Sequence, residues 1–245
     1  MPATETDIAQ ASLWLAESKH VAVLTGAGVS AESGVPTFRG EEGLWKGFRA
    51  TDLATPQAFA RDPRLVWNFY NWRRNLLAPL HPNPAHKALV RLEEKVSYFS
   101  LITQNIDDLH RRAGSDNIIE LHGNIWMVRC TACQEVNRND EVPLPDLPSC
   151  AECGGLLRPH VVWFGEQLDP DILDRAVAAT RSCDTMLVIG TSAVVQPAAS
   201  LALLAREEGA RVVEINLELT PYSPQLDLAI QGKAGEILPK LVERV

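Results

Sequence analysis

Four of the chain's five cysteines fall into one pattern: Cys130-x2-Cys133, sixteen intervening residues, then Cys150-x2-Cys153. Two such knuckles can present four thiolates to one tetrahedral zinc ion. Four sulfur ligands leave no open coordination position, so the ion would be structural rather than catalytic. The alternative, a pair of disulfides, is disfavoured in a reducing compartment. Pro143, Pro145 and Pro148 make the segment between the knuckles loop-rich, so the metal would supply much of its folding energy. Cys183 stands apart, just before an apolar run, and reads as a small buried residue.

A glycine turn carries a second kind of chemistry. In the run 21–31, Gly26, Gly28 and Ala31 fit the dinucleotide-binding turn G-x-G-x-x-G/A: tight turn, close approach to pyrophosphate, helix start. Gly34 and Pro36 follow and would end a crossover helix within about two turns. An acidic residue closing a second strand about twenty positions on is also missing, because Asp52 sits in no strand-like run. The turn therefore reads as nucleotide-binding, in a manner that an ordinary dehydrogenase does not use.

Polar groups also gather where apolar runs end. Gln104-Asn105-Ile106-Asp107-Asp108 follows 101–103, and His122-Gly123-Asn124 follows 118–121. Gly190-Thr191-Ser192 follows 187–189, and Asn216-Leu217-Glu218 follows 212–215. One polar residue after a strand is commonly a turn former or cap. Four such ends beside a glycine turn would line a crevice with partners for sugars and an amide. His122 is the candidate general base, since an ordinary imidazole titrates near neutral pH; the alternative is a partly buried capping histidine. His160 would pack or line a channel. No role follows for His20, His81, His86 or His110.

The elements that must position these groups are legible as strand-like runs at 21–25, 98–103, 118–121, 186–190, 212–216 and 228–230. Several are continuously apolar, as in strands buried on both faces. Helical patterns at 6–18, 85–94, 172–181, 198–208 and 235–245 separate most of them. The alternation predicts an α/β fold: a doubly wound parallel sheet, Rossmann-like, comprising 1–34, 81–125 and 158–245. Two insertions, 35–80 and 126–157, would form a smaller domain, a helical module plus a zinc ribbon. A net charge of −8 argues against binding a phosphate backbone but allows a basic partner such as a lysine-bearing protein tail. Glu5, Asp7 and Glu17 interrupt any signal-peptide core, and no apolar run approaches membrane-spanning length. A cytoplasmic monomer is expected, without membrane or nucleic-acid partners.

Taken together, several motifs resemble the sirtuin family of NAD-dependent protein deacylases. They are Gly26-Ala27-Gly28-x-Ser30-x2-Ser33-Gly34-x-Pro36-x-Phe38-Arg39, Gln104-Asn105-Ile106-Asp107, His122-Gly123, the four cysteines, Phe164-Gly165-Glu166 and Gly190-Thr191-Ser192. The resemblance runs in order from about residue 20 to the C-terminus. It implies NAD as a consumed co-substrate and one structural zinc ion, with acylated-lysine proteins as substrates. The pyrophosphate would lie near Ala27, Gly28 and Ser192, and Asn216 and Glu218 would hold the adenosine ribose. Asn105 and Asp107 would hold the nicotinamide end, with Asp107 and the Ile106 backbone engaging the carboxamide. Gly26, Ser30, Trp45, Gln104, Gly190, Thr191, Leu217 and Ala234 complete the implied cofactor site.

The implied reaction begins when the acyl-lysine oxygen attacks ribose C1′ and nicotinamide leaves. His122, with Asn105 as the second catalytic residue, then acts as base on the ribose hydroxyls, and water releases the amine. Phe38 would shield the reactive face and Arg39 would order the cofactor loop. The segment 34–45 suits a gating task, since its glycine and proline content keeps it out of a stable helix. Val162, Phe164, Gly165 and Glu166 would bind the peptide backbone as an added strand, which tolerates many sequences.

Thr37 stands where most deacetylating sirtuins have aspartate, a departure that resembles the class III branch with its Tyr-x-x-Arg pair. Tyr70 and Arg73 supply that pair here. Three positions apart on a helix they share a face, and a phenol with a guanidinium can converge on one anion. Alternatively Tyr70 packs and an arginine is solvated. The expectation is removal of succinyl, malonyl or glutaryl groups, with weaker deacetylation. The alternatives are a protein deacetylase, an ADP-ribosyltransferase, a zinc-ribbon binding module, or a hydride-transferring oxidoreductase.

Overall fold

The computed structural model describes residues 4–36 and 44–245. The chain opens with α1 (Glu5–Glu17), β1 (His20–Thr25) and the short α2 (Ala27–Ala31). A hairpin of β2 (Leu44–Trp45) and β3 (Phe48–Arg49) then leads into α3 (Ala50–Leu53), α4 (Pro56–Arg61) and α5 (Pro63–Leu77). Next come α6 (Pro84–Lys95), β4 (Tyr98–Thr103), α7 (Leu109–Ala113) and β5 (Ile118–Glu120). The strands β6 (Gly123–Cys130), β7 (Val136–Arg138) and β8 (Leu157–Val161) carry or border the cysteines. The chain finishes with α8 (Pro170–Ser182), β9 (Thr185–Ile189), α9 (Leu201–Glu207), β10 (Arg211–Asn216), β11 (Leu228–Gln231) and α10 (Ala234–Glu243).

Many of these boundaries follow from local chemistry. Thr55, Asp62, Asn83 and Asp169 each accept backbone N–H bonds at a helix start, and each is followed by proline at the first helical position. That proline has no N–H to leave orphaned and its fixed φ suits a first turn. Thr4 and Asp7 close a reciprocal capping box on α1. As Gly34 and Pro36 foretell, α2 lasts only five residues.

The large sheet has six parallel strands in the order β11-β10-β9-β1-β4-β5. Counted in chain order, this is the 3-2-1-4-5-6 arrangement of dinucleotide-binding sheets, with its switch point between β1 and β9. Alternate residues feed two cores, as the strand period of two requires. Val21, Val23, Leu101, Leu187, Ile189, Val213 and Ile215 pack against α1, α6 and α10. Ala22, Leu24, Ile102, Met186, Val188 and Val212 pack against α8 and α9.

A third cluster forms the small domain. It joins Leu53, Phe59, Val66, Trp67, Phe69, Tyr70 and Leu77 from the helical insertion to Ile125, Trp126, Val128, Leu144, Val161 and Trp163. The antiparallel sheet β7-β6-β8 underlies it. Both β6 and β8 run through the boundaries expected at 125/126 and 157/158, since a strand leaving one core can enter the next without a loop. Among the described residues no helix is long and apolar enough to cross a membrane.

Candidate active site

At the switch point the turns after β1 and β9 meet backbone to backbone. The Gly26 N–H donates to the Ile189 carbonyl (3.0 Å) and the Gly28 N–H to the Gly190 carbonyl (2.8 Å). A Cβ on Gly28 would lie 2.6 Å from the Gly190 Cα. The absence of side chains therefore serves turn-on-turn packing here, in addition to any approach of a ligand. This same contact holds Gly190, Thr191 and Ser192 beside Ala27. Asn216 extends the row, with its amide donating to the Thr191 carbonyl (2.6 Å). Leu217 and Glu218 follow it on the surface, and buried Ala234 opens α10.

Asn105 is aimed from the other side. Its side-chain amide donates to the Gly26 carbonyl and to the Ser30 hydroxyl, both at 3.1 Å. The Gln104 N–H continues the β1 ladder onto the Thr25 carbonyl (3.0 Å). The Gln104 carbonyl lies 2.9 Å from His122 Nδ1. A carbonyl can only accept, so Nδ1 carries the proton and Nε2 is left as the basic nitrogen. Burial pushes the His122 pKa below its ordinary value, partly offset by this hydrogen bond. The ring is therefore neutral near pH 7 and oriented as a base. Its neighbour Gly123 has φ +75° and would place a Cβ 2.3 Å from the His160 carbonyl, so glycine is required by β8. The His160 ring is half-buried on that strand, where burial and then Arg129 and Arg158 hold its pKa down.

Asp107 is buried, accepts the Leu109 N–H at 2.9 Å, and has its carboxyl pKa raised by that burial. The Ile106 carbonyl is taken by the Ile125 N–H (2.9 Å). On α5 the buried positions 66, 69, 70, 74 and 77 turn toward the small-domain core. Tyr70 is 1% exposed, and its hydroxyl accepts the Trp163 indole N–H at 2.9 Å. Tyr70 and Asp107 are both electrostatic neighbours of Arg73. Arg74 differs from a solvated arginine: it is fully buried and donates to the carbonyls of Ile125 (2.7 Å), Asn139 (2.5 Å) and Glu141 (3.0 Å).

The segment 162–166, expected to pair with a peptide backbone, is a turn after β8. The Val162 N–H donates to the His122 carbonyl and the Phe164 N–H to the Ala54 carbonyl, both at 2.9 Å. The Trp163 N–H donates to the Glu166 carboxylate (2.8 Å) and the Glu166 N–H to the Trp163 carbonyl (2.9 Å). That carboxylate also receives Arg158 at 2.6 and 2.9 Å, so the Glu166 side chain braces the turn. Phe164 projects outward, 53% exposed. Trp45 is buried, with its ring 5.7 Å from Phe69. Thr37, Phe38 and Arg39 lie outside the described residues.

The cysteines converge as the spacing requires. The four Sγ atoms all lie within 4.8 Å of one another, with 3.5 Å between Cys130 and Cys153 and 3.7 Å between Cys133 and Cys150. Tetrahedral zinc with Zn–S bonds of about 2.3 Å needs sulfurs roughly 3.8 Å apart, so the donor set and its size fit that ion. The N–H groups of Cys133 and Ala132 point at Cys130 Sγ (3.5 and 3.4 Å) and bring its pKa down to about 6. Cys183 is buried, its thiol pushed up to about 11 by desolvation.

The model of the Sir2 family matches residues 26–197. The chain belongs to the Sir2 family. It is 53% identical over 232 residues to the NAD-dependent protein deacylase 1 of Archaeoglobus fulgidus, covering 94% of this chain and 95% of that protein. It is 51% identical over 228 residues to the NAD-dependent protein deacylase of Aquifex aeolicus, covering 93% and 95%. A solved Sir2 homologue in complex with NAD superposes with TM-score 0.93 at 50% identity, covering 99% of this chain and 95% of the other. A Sir2 protein bound to acetylated peptide superposes with TM-score 0.86 at 33% identity, covering 96% and 97%.

Two buried histidines to which the sequence alone assigns no role lie beside the site. His86 Nε2 lies 3.4 Å from the Ser30 hydroxyl, and His110 Nε2 lies 3.0 Å from the Thr25 hydroxyl. The two rings are 4.7 Å apart, beneath the glycine turn. Asn83 gives the available signal for His86: it caps α6, and its N–H donates back to His86 Nδ1 (3.3 Å). No comparable local signal marks His110.

Proposed function

We propose that this Sir2 protein is an NAD-dependent protein-lysine deacylase that prefers acidic acyl groups, namely succinyl, malonyl or glutaryl, and deacetylates more weakly. The observation that carries the reading is the placement of Tyr70 and Arg73 three residues apart on α5, where each acts electrostatically on the other and Asp107 acts on Arg73. Burial holds the Tyr70 pKa up at about 12, so its hydroxyl stays protonated. Burial raises the Asp107 carboxyl pKa, while the Leu109 N–H, Ser30 and Arg73 act to lower it. Arginine offers a planar fork to a carboxylate, and a phenol adds a hydroxyl donor.

The donors and acceptors at the ends of β1, β4, β9 and β10 suit the phosphates, ribose hydroxyls and carboxamide of NAD. Gly26, Ala27, Gly28, Ser30, Gly190, Thr191 and Ser192 would surround the phosphates, with Asn216, Leu217, Glu218 and Ala234 at the adenosine end. Gln104, Asn105, Ile106 and Asp107 would hold the nicotinamide end. NAD supplies a glycosidic bond that breaks to free nicotinamide, and an ADP-ribose that takes the acyl group. Acyl-lysine, NAD and water become lysine, nicotinamide and O-acyl-ADP-ribose.

Within this scheme His122 Nε2 removes a proton from a ribose hydroxyl, and Gln104 keeps the ring in the tautomer that can do so. Asn105 is fixed by Gly26 and Ser30, so its remaining oxygen is available to orient water or ribose. Val162, Phe164, Gly165 and Glu166 would guide the peptide.

The test is nicotinamide release on one peptide carrying acetyl-, malonyl-, succinyl- or glutaryl-lysine, with wild type, Tyr70→Phe and Arg73→Met. One charge-assisted hydrogen bond contributes roughly 1.5–3 kcal/mol, so each substitution should lower succinyl turnover about ten- to a few hundredfold relative to acetyl. An equal fall for both acyl groups would sink the acidic-acyl preference.

A further inference from the structure

We propose that Trp163 is the positioning residue that sets the direction in which Tyr70 donates, and that this direction separates acidic from neutral acyl groups. The inference rests on the acyl reading above. An indole N–H can only donate, whereas a phenol oxygen can accept while giving its single proton elsewhere. The 2.9 Å contact between Trp163 Nε1 and the Tyr70 hydroxyl therefore has one possible sense. Trp163 occupies an acceptor site on Tyr70 and turns the phenolic proton away from itself. Arg73, the charged neighbour of Tyr70, has no acceptor and cannot take that proton. Asp107, the other group acting on Arg73, takes its hydrogen bonds from the Leu109 N–H and from Ser30. The phenolic proton is thus left for a further acceptor near Arg73, which a carboxylate at the end of an acyl chain provides and a methyl group does not.

Trp163 is held firmly enough for this task. It is 2% exposed. The Arg158 guanidinium sits 3.5 Å from its ring centroid, and the Phe59 ring lies 5.1 Å away. Its backbone N–H is fixed by Glu166, which Arg158 grips in turn. A cation over the ring face is attracted to it and helps hold the indole in place. The preceding residue, Val162, is tied to the His122 carbonyl. The same turn therefore fixes the hydroxyl that meets the acyl tail and borders the base that meets the ribose.

The experiment compares KM and kcat for succinyl- and acetyl-lysine peptides in wild type, Trp163→Phe, Tyr70→Phe and the double variant. Losing one neutral hydrogen bond should raise the succinyl KM about three- to tenfold, with the acetyl KM and both kcat values near wild type. In the Tyr70→Phe background the second substitution should add nothing. Should Trp163→Phe fold poorly, 3-benzothienylalanine at position 163 replaces only the N–H by sulfur at nearly equal volume. Equal KM changes for the two peptides, or a full added effect without the Tyr70 hydroxyl, would overturn the proposal. If Tyr70→Phe and Arg73→Met leave the succinyl-to-acetyl ratio unchanged, the acyl reading falls and this inference with it. If they lower that ratio and loss of the indole N–H does not, only the role of Trp163 falls.

Discussion

Gly28 and Gly190 touch through their backbones, and neither could carry a side chain in place. A Cβ on Gly190 would lie 2.4 Å from the Val29 nitrogen, and Gly190 itself sits at φ +60°. Replacing it with alanine adds left-handed strain to a backbone clash, so Gly190→Ala should cost roughly 2–4 kcal/mol in denaturant unfolding. Gly154 provides the control: its φ is +72° but nothing lies within 4 Å of the added Cβ. Gly154→Ala should cost only about 1–2 kcal/mol. Equal losses would mean that the contact between the two turns contributes little.

The zinc ribbon is joined to the site by charge as well as packing. Arg138 on β7 donates to the buried Asp108 carboxylate at 2.9 Å, one residue after Asp107. Arg74 reaches from α5 to the backbone of Asn139 and Glu141. Chelation of the reduced protein, or Cys150→Ser, should therefore lower the melting temperature and NAD-dependent activity together. Metal analysis should find one zinc per chain in wild type, a stoichiometry that follows from a four-thiolate site. Full activity in a zinc-free, folded protein would disprove the coupling.

Much of this architecture is legible in the residues because the signals are local. Val21, Val23, Leu187 and Val213 belong to runs that are apolar on both faces, and such runs declare a buried parallel strand without help from neighbours. The cysteine knuckles and the polar strand ends are legible for the same reason. The burial of Arg74 and His110 is not, because their partners lie far along the chain and only the fold brings them together; for His86 only the Asn83 cap is local, while Ser30 lies 56 residues away. The shape of the 162–166 turn is not legible either, because it depends on the grip of Arg158 on Glu166 and of Glu166 on the Trp163 N–H.

His122 should be the base, and two measurements check it. His122→Ala should lower deacylation about 10²–10⁴-fold, the range for losing general-base catalysis. Nicotinamide exchange into NAD should fall less, because nicotinamide leaves before the base is needed. With the His122 pKa held below 6.5 by burial, the neutral base persists from neutrality down past pH 6.5. The acid limb of the pH–rate profile should lie below that value and vanish in the variant. An acid limb unchanged in His122→Ala would assign the titration to another group.

His86 makes stability depend on pH in a definite direction. Desolvation lowers its pKa from 6.5 to about 4, because the ring is enclosed between α6 and the glycine turn. Its folded pKa lies below its unfolded one, so the unfolded chain binds the extra proton between those values. The stabilising contribution is present above pH 6.5 and is lost as pH falls toward 4. Over that window one proton of difference corresponds to a slope of about 1.4 kcal/mol per pH unit, summing to on the order of 3 kcal/mol. His110 titrates in the same sense, its pKa lowered first by burial and then by His86, so the wild-type slope should exceed that of one group. His86→Gln keeps a polar side chain toward Ser30 and removes one titration. Unfolding free energies between pH 4.5 and 7 should then show a slope reduced by about one proton. An unchanged slope would mean that His86 is already protonated in the folded protein, and the buried pair would not be neutral.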